Sequence, residues 1–89
     1  MTQEEILQKG IKAAELLSNE RLMEFIGEEQ KLLLESIANT QPHELKTRES
    51  LYMQHHAILS FLQMMKQYVD AAQEIVAAND APQEEIETD

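Results

Sequence analysis

Residues 51–76 read LYMQHHAILSFLQMMKQYVDAAQEIV, and their spacing decides the fold. Steps of four and three residues pick out Leu51, His55, Ile58, Leu62, Met65, Val69, Ala72 and Val76, an apolar seam interrupted by one histidine. A stripe of that period occupies one face of an α-helix and is built to lie along another helix. Leu59, Phe61, Tyr68 and Ile75 flank the seam, which makes the apolar band wider than one partner helix covers.

Upstream of the seam, Asn39-Thr40-Gln41-Pro42 is the clearest turn in the chain. Proline suits the first turn of a helix, where its missing N–H leaves no intrahelical bond unmade. A second stripe precedes the turn, formed by Leu22, Ile26, Leu33 and Ile37, and predicts a helix at about 20–38. Ser18 and Asn19 favour caps and turns, and the apolar phase slips there, so a separate first helix is expected at about 3–17. Thr2 and Glu5 have the spacing of a capping box, in which each side chain satisfies the other residue's backbone N–H. Gly10 falls inside the apolar region of the first helix and predicts a close helix contact, with a hinge as the alternative. Gly27, inside the second helix, is either a weak spot or a second place of close approach.

Downstream, the third helix is expected at about 44–78, ended by Asn79-Asp80-Ala81-Pro82. Residues 83–89 carry four acids, no base and one isolated apolar residue, and residues 80–89 are expected to form a disordered tail. The fold class is therefore all-α: an antiparallel helical hairpin with an additional short N-terminal helix, in one domain over 1–79, followed by that tail.

A hairpin closed about Pro42 sets facing residues to sum to roughly 84, given short helix connections. This pairs Leu33 with Leu51, Ile26 with Ile58, Leu22 with Leu62, and Glu29 with His55. Glu29 and His55 are accordingly expected to form a buried polar pair, through a hydrogen bond or an ion pair. Arg48, four residues after Glu44, is expected to pair with it locally; capping of the Asn39 and Thr40 carbonyls, or docking on a partner, is the alternative. The second helix begins opposite about residue 65, so the seam beyond Met65 needs another cover. Either the first helix folds back or a neighbouring subunit supplies it. The candidate partner-binding residues are Leu59, Phe61, Met65, Tyr68, Val69, Ala72, Ile75 and Val76.

Composition narrows the function. The chain has 89 residues and a net charge of −10, from seventeen acidic and seven basic side chains. That charge opposes direct binding to nucleic acid or to an anionic membrane and points to a protein partner. No cysteine is present, which removes thiol chemistry and thiolate zinc sites. No apolar run approaches the ~20 residues of a membrane span, and Thr2-Gln3-Glu4-Glu5 does not read as a secretory leader. His55 and His56 are adjacent and point about 100° apart on a helix, so no metal site is expected there. No Glu-x-x-His pair, nucleophile elbow or phosphate-binding glycine loop occurs, and neither a cofactor nor catalytic residues are assigned.

Ala13-Ala14-Glu15-Leu16-Leu17-Ser18-Asn19, the Asn39-Thr40-Gln41-Pro42 turn, and Arg48-Glu49-Ser50-Leu51-Tyr52 with the Leu59–Val69 helix carry a resemblance. Over residues 6 to about 70 the chain resembles small helical proteins encoded by tailed bacteriophages, often among head and portal genes and mostly without assigned activity. The resemblance implies a non-enzymatic virion or assembly accessory protein, located in the host cytoplasm or the virion. It would act as a homo-oligomer or on a larger phage structural protein. The alternative is a small acidic inhibitor that imitates DNA to occupy a host nucleic-acid-processing enzyme, a reading that would need rows of carboxylates on a folded face.

Overall fold

A computed structural model describes the backbone of residues 1–87 and the side chains of residues 1–80. Three helices follow one another, α1 (Gln3–Leu17), α2 (Glu20–Ala38) and α3 (Leu45–Glu87), with no strand among the described residues. The fold is all-α, as the periodicity predicts.

Local chemistry sets the helix starts. The Thr2 backbone N–H donates to Glu5 Oε1 at 3.0 Å, and the Glu5 N–H donates to Thr2 Oγ1 at 3.1 Å, closing the capping box at the head of α1. Hydrogen bonds to Thr2, first from its backbone and then from its side chain, hold the Glu5 carboxyl below its ordinary pKa. Asn19 caps α2, its Oδ1 accepting from the Leu22 N–H at 3.0 Å.

The connection between α2 and α3 is pinned by side chains. The Glu44 N–H donates to the Gln41 carbonyl at 2.9 Å, closing a four-residue turn with Pro42 in its second position, where a fixed φ is favoured. Pro42 therefore belongs to the turn, and α3 starts three residues later. Arg48 reaches back from the first turn of α3: its Nε donates to Thr40 Oγ1 at 2.9 Å and its Nη2 to the Gln41 carbonyl at 2.8 Å. The Thr40 hydroxyl in turn donates to the Ile37 carbonyl at 2.7 Å. Glu44 is occupied elsewhere, its carboxylate accepting from the Gln41 N–H at 3.1 Å. The expected local Glu44–Arg48 pair gives way to a clasp on the turn: the Glu44 carboxylate is engaged by the Gln41 N–H, and the Arg48 guanidinium takes the Thr40 hydroxyl and the Gln41 carbonyl as its acceptors. Replacing Arg48 by Met keeps the stem and removes both bonds. Urea unfolding is expected to show a loss of about 1–2 kcal/mol; unchanged stability would reduce the clasp to a passive contact.

The described chain forms two compact units. One comprises Leu17–Gln63, with α2 and the first half of α3 joined by the clasped turn. Burial there follows the expected seams: Leu22, Ile26, Ile37, Leu51, Ile58 and Leu62 are half-buried and Leu33 is buried. The other unit comprises Met1–Leu16 with α3 from Met64 onward, and Gly10, Ala13 and Met65 are buried within it.

Two expectations need revision. α3 is helical through Glu87, beyond the expected end near Ala78. Asn79, Asp80 and Pro82 disfavour a helix locally, but extending an existing helix requires no new nucleus. The predicted disorder of residues 80–89 falls almost entirely outside the described side chains. The second revision concerns His55, whose Nδ1 is buried without any hydrogen-bond partner. Glu29 is half-buried on α2, yet no hydrogen bond or ion pair joins it to His55. Desolvating a carboxylate costs more than one hydrogen bond to imidazole returns, so facing positions in the two seams do not by themselves bring the pair into a bond.

Candidate protein-binding surface

The residues expected to meet a partner divide between the two units. Leu59 and Phe61 lie in the Leu17–Gln63 unit and are exposed, Phe61 at 49%. Met65, Tyr68, Val69, Ala72, Ile75 and Val76 lie in the unit that contains α1. Of the two covers left open by the sequence, the first helix is the one present there, and α1 lies over part of the band. Met65 is only 4% exposed and belongs to the core, while Tyr68, Val69, Ala72 and Ile75 are half-buried. Val76 alone of that group remains exposed, at 51%.

Gly10 explains how α1 gets so close. A Cβ built on it would stand 2.5 Å from the Ala72 Cβ and 2.9 Å from the Tyr68 carbonyl oxygen. The absence of a side chain thus lets the two backbones meet, which is the close contact that the apolar setting of Gly10 predicts. Lys9, the neighbouring residue, carries its ammonium 5.7 Å from the centroid of the Tyr68 ring, within the range of a cation–π contact. Gly27 has open space where its Cβ would be and makes no close approach.

Beside the Gly10 crossing, α1 and α3 leave an open apolar groove of about 420 Å³. Leu7, Ile11 and Ala14 form one wall, and Val69, Ala72 and Val76 the other. Ile11 is 53% exposed, as much a surface residue as Val76. The α1 wall was absent from the candidate set, although Leu7, Ile11 and Ala14 recur at helical spacing and mark a second stripe adjoining the Gly10 and Ala13 face.

The other unit also keeps apolar side chains in the open. Phe25 and Leu32 are exposed on α2, and Tyr52 and Met53 are exposed on α3 beside His56. Among the described residues, no three His, Cys, Asp or Glu side chains cluster as metal ligands would. No helix is long and apolar enough to cross a membrane among those residues. No protein-family model, curated protein or solved structure matches the chain.

Proposed function

We propose that this chain is a non-enzymatic interaction protein that works through helix-mediated contacts, as an accessory to virion structure or assembly. One observation carries the interaction reading: of the apolar side chains described, only Ala13, Leu33 and Met65 are buried, while Ile11, Phe25, Leu32, Leu59, Phe61 and Val76 are exposed. Single exposed apolar residues are ordinary, but so many on so small a core favour burial against another chain. The occupant is a further copy of the chain or a larger structural protein, and the virion setting rests on the resemblance carried by the Asn39–Pro42 turn and the Arg48–Tyr52 segment.

Sedimentation velocity on the full chain, across concentration and salt, tests the reading together with a search for the chain in purified phage particles. Association above the 10.2 kDa monomer, or presence in particles, is the expected result. A strict monomer that is missing from particles, and whose only ligand is an enzyme for which it competes with DNA, would replace this reading by that of an acidic inhibitor.

A further inference from the structure

We infer that the groove between α1 and α3 is a seat for an amphipathic helix of another protein, one whose narrow apolar ridge is flanked by lysine or arginine. This inference rests on the reading of the chain as an interaction protein and names the chemistry of its partner. The floor of the groove supplies the apolar half of the argument. Leu7, Ile11, Ala14, Val69, Ala72 and Val76 line it, and a ridge of side chains spaced as i, i+4 and i+7 on an incoming helix lies naturally between two such walls.

The rim supplies the other half. The charged residues one helical turn from the lining positions are Glu4 and Glu15 on α1 and Lys66, Asp70, Glu74 and Asp80 on α3, all exposed. By that spacing, five carboxylates and one ammonium fall within a helical turn of the apolar floor, which itself contains no charged side chain. A second copy of the chain seated groove to groove would bring the two acidic rims together, on molecules that each carry −10. Like charges juxtaposed across an interface select against that partner, whereas basic flanks on an apolar helix match the rim and speed its approach. A small apolar ligand would fill the floor but leave the rim without a role.

The test uses the full chain and three labelled 18-residue peptides, followed by fluorescence anisotropy. The first is a helix with a Leu/Ala ridge and Lys flanks, the second carries Glu in place of Lys, and the third has the composition of the first in scrambled order. The Lys-flanked helix is expected to bind at least about tenfold more tightly than either control and to weaken as salt rises. Ile11→Gln and Val76→Gln change exposed side chains and spare the core; each is expected to weaken binding by about tenfold. Equal binding of the scrambled peptide, or no effect of either substitution, would overturn the proposal. So would a self-associated chain that Ile11→Gln converts to monomer, which would give the groove to a second copy. Those results leave the interaction reading standing, whereas a monomer that binds no peptide and is absent from particles removes both.

Discussion

Gly10→Ala is expected to destabilise the protein by about 1–2 kcal/mol, while the same substitution at Gly27 stabilises it by about 0.5–1 kcal/mol. Both glycines lie inside helices, where alanine alone is worth up to about 1 kcal/mol over glycine through lower backbone entropy in the unfolded chain. At Gly27 nothing stands within 4 Å of the new methyl, so that gain appears undiminished. At Gly10 the methyl would lie 2.5 Å from Ala72 Cβ and 2.9 Å from the Tyr68 carbonyl oxygen, against an ordinary carbon separation of about 3.5–4.0 Å. Neither neighbour is the free end of a flexible side chain, so α1 must retreat and surrender packing along its length. Overpacking of this kind costs about 1–3 kcal/mol, enough to exceed the propensity gain, and Gly10→Leu costs more than Gly10→Ala. Urea unfolding followed by far-UV circular dichroism reads both signs in one experiment. An equal gain at the two positions would mean that α1 does not rest on α3 at Gly10.

Helix starts and the Gly10 contact were legible because each depends on residues close in sequence or on one distinctive residue. Thr2 with Glu5, and Asn19 before Glu20, are short-range caps whose geometry needs no knowledge of the rest of the chain. The period of residues 51–76 gave the inward face of α3 as far as Ala72 for the same reason. Arg48 was misassigned because its choice lay between a carboxylate one turn away and acceptors on a turn, and only the fold puts Thr40 Oγ1 and the Gln41 carbonyl within its reach. The Glu29–His55 pair was not legible, since facing positions in two seams do not by themselves bring two polar residues into a bond, and His55 Nδ1 is buried without a partner. The groove was legible only in halves. Val69, Ala72 and Val76 were marked by the seam, but Leu7, Ile11 and Ala14 acquire meaning only when α1 is placed against α3.

Met65→Ala is expected to produce the largest loss among single truncations, about 2–4 kcal/mol, with Met53→Ala unchanged to within about 0.5 kcal/mol. Met65 is 4% exposed and Met53 is 72% exposed, although both are methionines on the same helix. Truncating a buried methionine removes its transfer free energy and leaves a cavity that the surrounding helices close only in part. In a small domain, where total stability is of order 5–10 kcal/mol, that loss consumes a large share. Met65→Leu, which nearly conserves volume, is expected to cost less than about 1.5 kcal/mol and so separates packing from any requirement for sulfur. The same burial places Met65 outside the groove: Met65→Leu is expected to leave binding of the Lys-flanked helix unchanged, while Ile11→Gln weakens it without a comparable loss of stability. Met65 thus belongs to the core of its unit, and the exposed pair Ile11 and Val76 is what the proposed helix would meet. If Met65→Ala were as stable as the parent chain, the core of that unit would have to be sought elsewhere.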